Sequence, residues 1–130
     1  MKTAVRERGK PFRILVVDDE EWVRDVFRDF CQVADTFEVD VAGGGNEAID
    51  MMRRSTYDLV TLDLIMPEMS GLEVLTAIGD MAARIPVMVI TGNATDKLVD
   101  RAGVLGANRV IYKPVRLESF IAEVTSALLR

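Results

Sequence analysis

The chain has 130 residues, of which 49% are hydrophobic and 28% are charged, a composition typical of one soluble globular domain. It contains no histidine and a single cysteine, which excludes histidine-based catalysis, the usual zinc sites and an internal disulfide. The net charge of −5 argues against nucleic acid as a partner, and no apolar run approaches the roughly 18 to 20 residues of a membrane span.

Residues 1–10 are charged and lack the apolar region of a secretory signal. We therefore expect a flexible N-terminal arm, a single domain over residues 11–130, and a cytoplasmic protein. Cys31 falls on the apolar stripe of a predicted helix and is interpreted as a core residue, in agreement with a reducing compartment.

Five segments have the apolar pattern of short β-strands. They cover residues 12–17, 37–42, 59–62, 87–90 and 109–112. Helical periodicity follows each strand, over about residues 21–34, 46–53, 70–78, 96–105 and 117–128. This alternation predicts an α/β fold, with a five-stranded parallel sheet covered by five helices on both sides.

Several helix ends carry recognisable signals. Asn46, after a turn of three glycines, is expected to cap the second helix, and Ser70 with Glu73 has the pattern of a capping box for the third. Gly106 is expected to close the fourth helix. Trp22 lies off the apolar stripe of the first helix and is expected at its edge or partly exposed.

Polar side chains follow four of the strands, at the point where each strand ends. Asp18 and Asp19 follow the first strand, Asp63 the third, Thr91 the fourth and Lys113 the fifth. In an open parallel sheet, ligands bind beyond the carboxyl ends of the strands, where the strand order reverses. A strand order of 2-1-3-4-5 would bring the three aspartates together at that point.

Three carboxylates in one crevice would repel one another by about 1 to 4 kcal/mol per pair at ~4 Å. A divalent cation would remove this conflict, and oxygen ligands in an open site that keeps its waters favour Mg²⁺ over Ca²⁺. Lys113 adds a fixed positive charge, and the Thr91 hydroxyl can donate a hydrogen bond. This set of groups predicts a site that holds a transferring phosphoryl group with Mg²⁺ as cofactor.

In these motifs the chain resembles the receiver domain of bacterial two-component response regulators, in its single-domain, chemotaxis-regulator-like form, over about residues 12–129. The matching positions are Asp18-Asp19, the loop 63–67, Gly71, Thr91, Gly106-Ala107 and Lys113-Pro114. The resemblance implies a flavodoxin-like receiver fold with the strand order 2-1-3-4-5.

The resemblance also implies roles for individual residues. Asp63 would accept a phosphoryl group from a phosphohistidine on a histidine kinase or histidine phosphotransfer protein. Asp19, helped by Asp18, would hold Mg²⁺ together with Asp63 and the backbone carbonyl of Ile65. Thr91 and Lys113, the latter before a cis proline, would bind the phosphoryl oxygens.

On this interpretation the chain is not an enzyme, although it assists its own phosphorylation and hydrolysis. A conformational change would carry the signal to a downstream protein target, and a phosphorylation-dependent dimer is compatible with the family.

Two positions depart from the family pattern. Val110 stands three residues before Lys113, where the family usually has Tyr or Phe, and the nearest aromatic residue is Tyr112. We therefore expect the signal to depend on the loop after the fourth strand and on the fourth helix, with Tyr112 secondary. Arg116 stands where Ser or Thr commonly caps the last helix.

Two other functions remain open on the sequence alone. One is a pseudo-receiver that acts as an interaction module without phosphorylation. The other is a Mg²⁺-dependent phosphatase with an aspartyl-phosphate intermediate, similar to the haloacid-dehalogenase-like phosphatases. Those enzymes carry an Asp-x-Asp motif after the first strand, whereas this chain has adjacent aspartates there.

Overall fold

The structure is a computed structural model that describes residues 11–34, 37–79, 85–92 and 94–128. The expected arm over residues 1–10 and the expected core position of the Cys31 side chain lie outside what it describes.

The strands form one parallel sheet in the order β2-β1-β3-β4-β5, as predicted. Their bounds are β1 Phe12–Val17, β2 Phe37–Ala42, β3 Leu59–Leu62, β4 Val87–Thr91 and β5 Arg109–Tyr112. The three inner strands are almost wholly buried because helices cover both faces, which is why their sequences are continuous apolar runs. Strand β2 lies at an edge and is correspondingly only partly buried.

Each strand is followed by a helix in the described part of the chain. Their bounds are α1 Glu21–Ala34, α2 Gly45–Arg54, α3 Gly71–Ile78, α4 Asp96–Val104 and α5 Leu117–Leu128. None of them is both long and apolar enough to cross a membrane.

Side chains on the two faces of the sheet form two hydrophobic clusters. Leu15, Val17, Val60 and Leu62 face α2, α3 and α4, whereas Ile14, Val16, Met88 and Ile90 face α1 and α5. In the second cluster Phe27 of α1 stacks on Phe120 of α5, with ring centroids 4.9 Å apart. The clusters fix the sheet between its helix layers and therefore hold the strand ends at one edge.

The helix ends show one wrong prediction and one confirmed one. Asn46 does not cap α2, which begins one residue earlier at Gly45 with Gly44 as its N-cap. A Cβ atom on Gly45 would lie 2.6 Å from the Met69 sulfur, so a larger residue here would have to displace the Met69 side chain. Ser70 does cap α3, since its side chain accepts a hydrogen bond from the backbone N–H of Glu73.

Candidate functional site

Asp63 lies directly after β3 and is only 4% exposed. Its Oδ1 atom accepts hydrogen bonds from the backbone N–H of Ile65 and from the hydroxyl of Thr91, both at 3.0 Å. Its Oδ2 atom accepts one from the Lys113 ammonium at 2.9 Å. Both oxygens of this buried carboxylate are therefore satisfied, which is the condition for keeping it charged inside the protein.

Thr91 and Lys113 reach Asp63 because β4 and β5 run parallel beside β3. Thr91 is the last residue of β4 and is fully buried. Its carbonyl accepts the backbone N–H of Lys113 at 2.9 Å, which joins the two strand ends. The Lys113–Pro114 peptide is cis, as expected.

Asp18 supplies a second buried carboxylate, 2% exposed, at the end of β1. One of its oxygens accepts from Lys113 at 2.8 Å and the other from the backbone N–H of Glu20 at 3.0 Å. Burial raises the pKa of Asp18 above its ordinary 3.8, and these hydrogen bonds only partly oppose that effect. A second positive charge would therefore favour the ionised form of Asp18.

Lys113 is the cation between the two aspartates. Burial acts to lower the pKa of Lys113, but its hydrogen bonds to Asp18 and Asp63 outweigh burial and raise the pKa above 10.5. Lys113 is therefore charged near neutral pH and bridges the carboxylates of Asp18 and Asp63.

A third carboxylate, that of Glu20, completes an acidic cluster that we did not predict. Oxygens of Asp18, Glu20 and Asp63 lie within 4.8 Å of one another. One ammonium against three carboxylates leaves an excess of negative charge, and an all-oxygen ligand set suits a hard divalent cation. Because Glu20 directly follows Asp18-Asp19 in the sequence, its place in this cluster could have been predicted.

Asp19 points to a different place. With Gly43, Gly44, Met66 and other residues of the neighbouring loops, it lines an open cavity of about 280 Å³. The structure thus brings together Asp18, Asp63, Thr91 and Lys113 as predicted, and places Asp19 in the wall of the adjacent cavity.

Gly71 allows the loop that carries Asp63 to approach helix α3. A Cβ atom on Gly71 would lie 2.6 Å from the Asp63 carbonyl oxygen and 2.7 Å from the Leu64 Cα atom. The Gly71 N–H donates to the Leu64 carbonyl at 3.0 Å. Only a residue without a side chain fits this contact, which fixes the loop after β3.

The β5 residues that differ from the family pattern occupy different environments. Val110 is partly buried and packs against the cluster on the α2, α3 and α4 face. Tyr112 is 51% exposed.

At the start of α1, Trp22 is 63% exposed, in agreement with its position off the apolar stripe.

Comparison with known proteins agrees with this architecture. The model of the response regulator receiver domain family matches residues 14–125. The response regulator MprA of Mycolicibacterium vanbaalenii is 35% identical over 122 residues, which cover 92% of this chain and 52% of that protein. The chain therefore spans about half the length of the curated relatives it matches.

Solved structures show the same fold. The signal receiver domain of a putative LuxO repressor protein from Vibrio parahaemolyticus has a TM-score of 0.84 at 26% identity, covering 93% of this chain and 92% of that one. The chemotaxis protein CheY4 of Vibrio cholerae has a TM-score of 0.84 at 24% identity, covering 91% and 99%. The chain therefore belongs to the response regulator receiver domain family.

Proposed function

We propose that the chain is a phosphoacceptor, in which Asp63 takes a phosphoryl group from a phosphohistidine donor and the resulting conformational change carries a signal. The observation that carries this proposal is the setting of Asp63. Its carboxylate is buried at a strand end, and Thr91 and Lys113 both donate hydrogen bonds to it. The same donors are in reach of a group attached to that carboxylate.

In the transfer step, a carboxylate oxygen of Asp63 attacks phosphorus while the bond from phosphorus to the donor imidazole nitrogen breaks. The electron pair of that bond leaves with the imidazole, and an acyl phosphate forms on Asp63. Thr91 and Lys113 then exchange their hydrogen bonds from the carboxylate to the phosphoryl oxygens. These charge-assisted bonds stabilise the negative charge that the new group brings.

The acidic residues around Asp63 would hold Mg²⁺. We propose Asp18, Asp19, Asp63 and the backbone carbonyl of Ile65 as its ligands. The all-oxygen carboxylate cluster supports Asp18 and Asp63 in this role, and Asp19 lines the cavity beside it. When bound, the ion would supply positive charge at the phosphoryl oxygens and relieve the repulsion among the aspartates.

The partners follow from the same chemistry. Since these 130 residues contain no histidine, the phosphohistidine must lie outside them, and we propose that a histidine kinase or a histidine phosphotransfer protein carries it. The signal would pass to a downstream protein, and a phosphorylation-dependent dimer is one form this could take.

Intact mass spectrometry after incubation with acetyl phosphate tests the proposal. The wild type should gain one phosphoryl mass only when Mg²⁺ is present, and Asp63→Asn should gain none. An unmodified wild type would instead indicate a pseudo-receiver. Steady turnover of p-nitrophenyl phosphate would indicate a phosphatase.

A further inference from the structure

Trp22 is an exposed indole with a specific polar partner. It lies in the first turn of α1, and 63% of its surface is exposed, so packing does not explain its position. Its Nε1–H donates a hydrogen bond to the Oε2 atom of Glu20 at 2.9 Å. This is a charge-assisted bond between a rigid donor and a flexible carboxylate.

Glu20 uses its other oxygen toward the phosphoacceptor site. Its Oε1 atom lies 3.6 Å from the Lys113 ammonium, and its carboxylate belongs to the cluster with Asp18 and Asp63. One carboxylate therefore connects Trp22 on the surface with the buried charges of the site.

The backbone of Glu20 is fixed by the start of α1. Its carbonyl accepts the N–H groups of Val23 and Arg24 at 3.1 and 3.2 Å, and its own N–H donates to Asp18. The Glu20 side chain is less constrained, because it is 46% exposed and has several rotatable bonds. Within the described structure, Trp22 is the group that holds the outer oxygen of this side chain.

We propose that Trp22 is a positioning residue of the phosphoacceptor site, which holds the Glu20 carboxylate beside Lys113 so that Glu20 serves as an additional ligand for the divalent cation. The inference rests on the proposed function, since it presupposes that a cation binds at the acidic cluster. It departs from the ligand set given above by adding Glu20 and by tying its orientation to the indole.

The physical reason is preorganisation. A free glutamate side chain would lose rotamer entropy on binding a cation, whereas one already held by an indole has lost part of it. Partners that orient metal ligands typically change metal affinity by about 10- to 100-fold. Because Glu20 is half exposed and water competes for it, we expect a smaller effect, about three- to tenfold.

Calorimetric titration of the unphosphorylated protein with Mg²⁺ as the only ligand tests this inference. Trp22→Phe keeps the ring and removes the donor, and Glu20→Gln keeps the shape and removes the charge. Each should raise the Kd for Mg²⁺ by about three- to tenfold. In the double variant the Trp22 substitution should add nothing, because it acts through Glu20.

A second signal comes from fluorescence. Since the chain has one tryptophan, its emission reports Trp22 directly. Mg²⁺ should change this emission in the wild type, and saturating Mg²⁺ should change it much less in Glu20→Gln. As a matched control, Tyr112→Phe alters another exposed aromatic residue and should leave the Kd for Mg²⁺ unchanged.

The inference is overturned if Trp22→Phe binds Mg²⁺ as the wild type does, if its effect persists undiminished in the Glu20→Gln background, or if the wild type binds no Mg²⁺. Unfolding by urea in EDTA checks for a general loss of structure, and Trp22→Phe should unfold there as the wild type does. Phosphorylation of the wild type by acetyl phosphate is measured separately, so the proposed function can stand while this inference fails.

Discussion

Replacement of Lys113 by methionine removes the ammonium from between two buried carboxylates while keeping the length of the side chain. Lys113 lies 2.8 Å from Asp18 and 2.9 Å from Asp63, and these carboxylates are 2% and 5% exposed. Without it, two like charges face each other in a site of low polarity. In the absence of divalent cations we therefore expect Lys113→Met to lower the free energy of unfolding.

The size of the loss follows from the contacts that remain. Removal of one partner from a buried ion pair typically costs about 3 to 5 kcal/mol. Asp63 would keep its bonds from Thr91 and from the Ile65 N–H, and Lys113 itself is 16% exposed, so water can enter. These contacts place the loss near the lower limit, about 3 kcal/mol, a large part of a typical total of roughly 5 to 15 kcal/mol.

Urea unfolding in EDTA and in Mg²⁺ measures this effect. Addition of Asp18→Asn to Lys113→Met should recover part of the loss, because it removes one of the two facing charges. Mg²⁺ should stabilise Lys113→Met more than it stabilises the wild type. Lys97→Met, which replaces an exposed lysine in the first turn of α4, is the matched control and should change stability by less than about 0.5 kcal/mol. If Lys113→Met in EDTA is as stable as Lys97→Met, Lys113 does not neutralise the buried carboxylates.

Three further predictions concern the rest of the fold. Gly71→Ala should destabilise the protein by about 1 to 3 kcal/mol, because its Cβ atom would overlap with the β3–α3 loop. Gly103→Ala should instead stabilise the protein by about 0.5 to 1 kcal/mol, because a Cβ atom there would meet nothing within 4 Å. Urea unfolding measures both effects. Tyr57 donates to a carboxylate at 2.6 Å, and burial, followed by that partner, raises its pKa from 10.0 to about 12. The stabilisation from its protonated form is complete below pH 10 and is lost as the pH approaches about 12, so the stability deficit of Tyr57→Phe in urea should shrink over that range. In hydrogen exchange, binding of beryllofluoride should change protection mainly over residues 91–105, and Val110→Ala should leave that response nearly intact; a variant that binds beryllofluoride but shows no response would place the switch in β5.

The strands could be predicted closely because their apolar runs end at residues with turn chemistry. The run from Leu59 to Leu62 is bounded by Asp63, and the observed bounds of β3 agree with it. The alternation of strands and helices predicts a parallel sheet, and the family resemblance implies its strand order. Parallel pairing then necessarily brings the ends of β1, β3, β4 and β5 to one edge of the sheet, so the residues that meet there could be named in advance.

Other features could not be predicted because they depend on contacts between segments that are distant in the sequence. Helix α2 begins at Gly45, which lies against the Met69 side chain, and the preference of Asn46 for a capping position does not reveal that contact. The directions of the acidic side chains were equally hidden. The sequence pattern places Asp18, Asp19 and Glu20 at one strand end, but which of them reach Asp63 depends on backbone angles and, for Glu20, on the indole of Trp22.

Identification of the phosphorylated residue is the most direct test of the account. An aspartyl phosphate is reduced by borohydride to homoserine, which peptide mass spectrometry can locate. After incubation with acetyl phosphate and Mg²⁺ followed by borohydride, we predict homoserine at position 63 alone. Homoserine at Asp18 or Asp19, or none at any position of a protein that has gained phosphoryl mass, would contradict the assignment of Asp63 as the acceptor.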